Sequence, residues 1–220
     1  MQSKEISNEN ADVYLVAYSV SDEVEDCVKK ELEVLLKKYD LIKLHHPIYT
    51  CVKELIMNAI KANFKNIYFE DYSAKNKQPG FISYEVALKL FMLEMTREDA
   101  QHLERIARKK DIKAEVKMWA DDRYLNFQVN NPVPMTDIEQ ENVLKKLQTA
   151  NKINDMSEYF IEVENDPNRE GAGLGLVLIT LMLKGIVRDY SSIEIKSDGI
   201  KTTAFMKIPY KQSELFVENF

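Results

Sequence analysis

The chain has 220 residues, 45% of them hydrophobic and 30% charged, with a formal net charge of -6. That length supports one sizeable core, and acids and bases interleave along the chain, so no basic stripe exists to neutralise a phosphate backbone and nucleic acid is not an expected partner. The longest apolar run, Gly173 to Leu183, is well short of the roughly 20 residues that cross a bilayer, so no membrane span is expected. The first residues lack the cationic and apolar pattern of a signal segment, and Cys27 and Cys51 lack metal-ligand spacing, which leads to the expectation of a cytoplasmic protein with reduced thiols.

In chain order, Asp12 to Val20 is rich in β-branched and aromatic residues and predicts a strand. Ser21 is an N-cap for a helix from Asp22 to Leu41, where Val24, Cys27, Val28, Leu32, Leu35 and Leu36 recur at helical spacing, with acids early and lysines late. A second helix is predicted after Pro47, through CVKELIMNAIKANF. Beyond a polar break at Lys75 to Gly80, further helices are predicted from Tyr84 to Met95 and from Arg97 to Lys110. Lys113 to Trp119 and Tyr124 to Asn130 alternate around Asp121-Asp122 and predict a hairpin. A polar segment with a short helix then leads to the glycine-rich stretch EGAGLG and an apolar helix from Leu176 to Leu183. Ser192 to Ser197 and Thr202 to Ile208 predict a last pair of strands across Asp198-Gly199, and Pro209 closes it.

Two stretches carry candidate chemistry. Gly171, Gly173 and Gly175 precede an apolar helix, where glycines let backbone N–H groups face an anion and the helix dipole adds partial positive charge. By itself this stretch also fits a loop before a packed helix. In the second helix Glu54, Asn58 and Lys61 share one face, with Leu55, Ile56, Ala59 and Ile60 on the other. A carboxylate, an amide and an ammonium together suit a nucleoside triphosphate: the amide oxygen can ligate magnesium, the ammonium can neutralise phosphate, and the carboxylate can orient or deprotonate an attacking group. The ordinary reading is a solvated face with a Glu-to-Lys pair, which leaves Asn58, a poor helix former in mid-helix, without a reason.

Taken together, Glu54-x-x-x-Asn58-Ala59-x-Lys61 resembles the N box, and Gly171-Ala172-Gly173-Leu174-Gly175-Leu176 the glycine box, of the GHKL ATP-binding family of histidine kinases, gyrase-type ATPases and anti-sigma serine kinases. The ending GIKTTAFMKIPY is similar to the family's terminal strand, with Thr203 at the position of a threonine near the base. The resemblance runs from Glu54 to Pro209 and is closest to a histidine kinase catalytic domain. It implies a single α/β domain over 1–220, a two-layer sandwich with a mixed β-sheet and helices on one face. It also implies ATP and Mg2+ as cofactors. By position, Asn58 would ligate the metal, Glu54 would act as general base, Lys61 and Arg169 would contact phosphate, and Gly171, Gly173 and Gly175 would wrap the phosphates. A lid would cover about 149–172.

Three departures qualify what the resemblance implies. Where the family has an aspartate followed by glycines under the adenine, this chain has Asn130-Asn131-Pro132-Val133-Pro134-Met135, with Asn131 in the aspartate's register. A carboxamide oxygen accepts from an amino group without charge assistance, so adenine selectivity is weakened. The segment from about 64 to 110 adds a helical insertion, read either as a cap on the domain edge or as a surface for a partner. Finally, His45 and His46 sit immediately before the N-box helix with no room for a hairpin, and His102, followed closely by an acid on a helix of the insertion, reads as a surface residue with an acceptor site as the alternative, so the chain looks like a catalytic domain without its own substrate. The expected function is a stand-alone, histidine-kinase-like ATP-binding protein that transfers a γ-phosphoryl group to a protein partner in signalling. The alternatives are an anti-sigma-type serine kinase switch, or a degenerate scaffold that binds nucleotide or protein without catalysis.

Overall fold

The computed structural model describes residues 12–75, 84–96, 100–163, 174–187 and 192–216. Strand β1 (Val13–Ala17) leads into helix α1 (Asp22–Lys38), whose first turn is capped by the Ser21 hydroxyl accepting from the Val24 N–H. Helix α2 (His45–Lys75) follows, then α3 (Tyr84–Thr96) and α4 (Ala100–Lys110). The hairpin of β2 (Ala114–Ala120) and β3 (Tyr124–Asn131) precedes α5 (Asp137–Lys152), α6 (Met156–Val163) and α7 (Leu174–Ile186), and β4 (Ile193–Ser197) and β5 (Thr202–Pro209) end the sheet.

The sheet has the order β1-β2-β3-β5-β4, and alternation along its strands separates two faces. Val13, Leu15 and Ala17 on β1 stand beside Met118, Val116 and Ala114 on β2, which stand in turn beside Phe127, Val129 and their neighbours on β3. Met206 and Ile208 continue the apolar row on β5. Helix α2 packs on this face against β2 and β3. The opposite face carries Glu115, Lys117, Asn126, Gln128 and Lys207, with Trp119 and Phe205 meeting at 6.0 Å between ring centroids. One apolar and one polar face is the pattern of an antiparallel sheet covered on one side.

The sheet differs from the mixed one expected, because every neighbouring pair is antiparallel. The chain leaves β1 at Ala17 and re-enters at Ala114, opposite it, after four helices that return to the same end. β3 and β4 run the same way, but β5 lies between them. At the β4–β5 turn Gly199 has φ of 84°, a left-handed conformation open to glycine, and the Asp198 carboxylate accepts from the N–H groups of Ile200 and Lys201.

Two helices differ from their expected extents. α2 does not stop near residue 64 but runs on to Lys75, because Phe64 and Ile67 continue its buried stripe into the core. Its added turns hold α4 through the Lys110–Glu70 ion pair at 2.6 Å. The short helix expected in the polar segment is instead the 16-residue α5 followed by α6. α5 begins with a capping box in which Thr136 and Glu139 satisfy each other's backbone N–H groups.

Candidate functional site

A cavity of about 730 Å3 opens between α2, α3, α5, the start of α7 and strands β3, β5 and β4 of the sheet. Glu54, Asn58, Lys61 and Lys65 all line it. Their spacing of four, three and four residues keeps them on one side of α2 while Leu55, Ile56, Ala59 and Ile60 are buried. Burial of the opposite stripe therefore fixes the direction in which the polar trio faces.

The first turn of α7 meets this face. A Cβ added to Gly175 would lie 2.5 Å from Glu54 Oε2 and 3.6 Å from Asn58 Nδ2, so any side chain there would push the carboxylate aside. The glycine allows the positive end of the α7 dipole to approach a carboxylate and an amide together. Deeper along the two helices, the Cys51 thiol lies 4.0 Å from the Met182 sulfur, and burial, reinforced by the charge of Glu54, pushes that thiol up to about 12. Cys51 is an inert packing residue at neutral pH.

α5 supplies the facing wall through Thr136, Glu139, Asn142, Val143 and Lys146, positions that recur on one side of the helix. Lys65 Nζ donates to Glu139 Oε1 at 2.7 Å and ties α2 to the first turn of α5. Burial acts to raise the Glu139 carboxyl, but the hydrogen bonds from Lys65 and the Thr136 N–H outweigh it and hold the group below the usual carboxylate range. At the other end of α5, Lys184 of α7 donates to the carbonyls of Ala150, Asn151 and Ile153. α5 thus runs opposite to α2, from Lys65 toward the Cys51 end, and carries Lys146 toward the polar trio. With Lys65 paired to Glu139, Lys61 and Lys146 are the cationic side chains that line this part of the cavity beside Glu54.

Asn131 ends the central strand β3, buried and on the cavity wall. Its Nδ2 donates to the Val133 carbonyl at 3.2 Å, and Thr202 Oγ1 donates to the same carbonyl at 2.7 Å. The bond to Val133 takes one of the two amide hydrogens and orients the group, leaving the carboxamide oxygen available as an acceptor. The expectation for Thr203 shifts by one residue. Asn131 pairs with Thr202, whereas Asn130 pairs with Thr203 on the opposite sheet face, where Thr203 Oγ1 donates to Asn130 Oδ1 at 2.9 Å. Thr202 lines the large cavity, and Thr203 lines a separate one of about 440 Å3 beside β4.

Of the expected site residues, the fold therefore brings Glu54, Asn58, Lys61, Asn131 and Gly175 to one cavity. Arg169, Gly171 and Gly173 lie outside the described residues, as does the lid from 164 on. Lys65, Glu139, Asn142, Lys146 and Thr202 were not singled out from the sequence. The Thr136-Asp137-Ile138-Glu139 pattern is the signal that would have started α5 and placed three of them. The histidines stand elsewhere: His45 bonds the Lys29 carbonyl at 3.0 Å, and His102 Nδ1 lies 3.7 Å from Glu94.

Among the described residues no cluster of three His, Cys, Asp or Glu side chains could hold a metal. An amide and a carboxylate one turn apart beside cationic side chains still fit a magnesium ion that takes its other ligands from phosphates and water. No helix among the described residues is long and apolar enough to cross a membrane.

No protein-family model matches the chain, and no solved structure matches it. The chain is similar to a protein of Treponema pallidum (strain Nichols) described as an uncharacterized protein, with 31% identity over 161 residues. The match covers 72% of this chain and 30% of that relative, so the chain spans about a third of the relative's length.

Proposed function

We propose that this chain binds a magnesium nucleotide, ATP, in the large cavity and uses it as a GHKL-type, histidine-kinase-like protein: it transfers the γ-phosphoryl group to a protein partner in signalling. The observation that carries this reading is the convergence of Glu54, Asn58, Lys61, Gly175 and Asn131 on one cavity from three separate elements. In it the base lies against Asn131 and Thr202, and the triphosphate lies along the α2 face toward the start of α7. Asn58 would hold the magnesium, which supplies charge neutralisation at the phosphates. Lys61 and Lys146 hold phosphate oxygens as cations, and Glu54 accepts the proton of the attacking group. Arg169, Gly171 and Gly173 belong to the lid side of the same reading, and the fold it implies is the family's two-layer sandwich.

A second reading rests on Asn131. A neutral amide already bonded to Val133 gives the base one uncharged acceptor, which favours weak binding and hence a nucleotide-controlled switch or a scaffold without turnover. The two readings separate on γ-phosphate release or transfer. Wild type incubated with labelled Mg-ATP, alone and with cell extract as acceptor source, is expected to turn over above background. Background rates in every condition, with nucleotide still bound, would leave the switch.

A further inference from the structure

Along α2 the cavity reaches from Glu54 to Phe69, 15 residues, which is about 22 Å at the rise of an α-helix. Its far part has a different chemistry from the part that holds the polar trio. Phe69 lines it from the extension of α2, and Leu88, Phe91, Met92 and Met95 line it from α3. Those four positions are i, i+3, i+4 and i+7, the stripe that a helix normally buries against its own domain. In α3 Phe91 belongs to the core and Leu88 and Met95 pack against it, and the same stripe, with the exposed Met92, also walls an open cavity. Phe91 is held from behind by Tyr68, whose ring centroid is 5.7 Å away.

Among the described residues no charged side chain from α3 lines this part of the cavity, and Asn66 is its polar neighbour on α2. The Lys65–Glu139 pair stands between the two parts and neutralises itself. An ion placed beyond it would lose hydration with no counter-charge, so the chemistry selects an uncharged occupant. Two methionines and two aromatic rings give an adaptable apolar wall of the kind that receives small molecules.

We propose that the α3 end of the cavity is a second subsite, which takes a small, uncharged, apolar molecule beside the nucleotide. It rests on the nucleotide reading only for the identity of the neighbour. Where both ligands bind, any change that one makes in the affinity of the other is reciprocal.

The test uses the full chain and the uncharged fluorescent probe N-phenylnaphthylamine. Wild type is expected to bind it saturably, with enhanced emission. Met92→Lys and Met95→Lys, which put an ammonium into the apolar part, are expected to weaken binding by about 10-fold or more. Met92 is 43% exposed, so the longer polar side chain need not disturb the core. Leu90→Lys, on the same helix at 37% exposure but away from the cavity, is expected to leave binding unchanged. Asn58→Ala is expected to retain the probe whether or not it retains nucleotide, which separates a failure of this inference from a failure of the nucleotide reading. Absence of saturable binding to wild type, equal loss in Leu90→Lys, or retention in both methionine variants would overturn it. So would simple competition, with apparent probe affinity falling in proportion to added Mg-ATP, since that would mean one shared site.

Discussion

The two ends of the cavity share one helix and differ in almost everything else. At the Glu54 end, α2 presents a carboxylate, an amide and an ammonium to the cavity, and Gly175 at the start of α7 leaves the Glu54 carboxylate its place. At the Phe69 end the same helix presents a ring to a helix whose side chains are leucine, phenylalanine and methionine. A polar end depends on placing a few groups within bonding distance, so single substitutions there act on whatever those groups hold. An apolar end depends on area and shape, so its substitutions act through packing and adapt more readily.

The largest effect expected from this difference is at Glu54. Glu54→Gln keeps the shape beside Gly175 but removes the base, so turnover should fall by roughly 100-fold or more while nucleotide affinity stays within a few-fold. Single-turnover transfer and equilibrium binding on the same preparation check it. Equal turnover in both proteins would move the base elsewhere.

Asn58→Ala comes next. Loss of an amide ligand to magnesium should raise the dissociation constant of Mg-ATP by about 10-fold or more, and the effect should vanish when magnesium is chelated. Displacement of a fluorescent nucleotide with and without the metal reads both. The same loss without magnesium would assign Asn58 to direct contact with nucleotide.

At the base, Asn131→Asp should restore charge-assisted acceptance from an exocyclic amine and repel a carbonyl. The preference for ATP over GTP should then move by about 1 kcal/mol, or roughly fivefold. Unchanged preference would mean that Asn131 does not face the base.

The smallest effect concerns the divider between the two ends. Glu139 is held below its ordinary range in the folded protein, against the effect of burial, by Lys65 and the Thr136 N–H. A depressed carboxylate contributes stability that is present above the unfolded value, near about 4.3, and is lost as pH falls toward the folded one. Glu139→Gln keeps the cap but loses the charge, so it should cost about 0.5 kcal/mol at pH 7 and less at acid pH. Urea unfolding of both proteins across that range checks the sign. A difference that grows on acidification would contradict it.

The polar end was legible in the sequence because its signals are local. Asn58 is a poor helix former in mid-helix, and Glu54 and Lys61 fall on its face by periodicity alone. The strands and their turns were legible for the same reason, with Leu125, Phe127 and Val129 alternating along β3. Thr202 and Thr203 show the limit. They are neighbours of one residue type, and only the pairing of β5 with β3 decides which of them faces the cavity. The antiparallel sheet was hidden likewise, since strand order is set by where helices return the chain. α5 was expected only as a short helix because its one-sided pattern is polar: Glu139, Asn142 and Lys146 line a cavity instead of a core. The apolar end had an amphipathic signature in α3, but the stripe of Leu88, Phe91, Met92 and Met95 reads the same whether it covers a core or walls a cavity.

The central claim is that the α2 face and the start of α7 hold a magnesium nucleotide, and calorimetric titration of the full chain with ATP tests it most directly. With magnesium present, the account predicts saturable binding of one nucleotide per chain, weakened about 10-fold or more by chelating the metal. Heat no greater than dilution up to millimolar ATP, with and without magnesium, would contradict it.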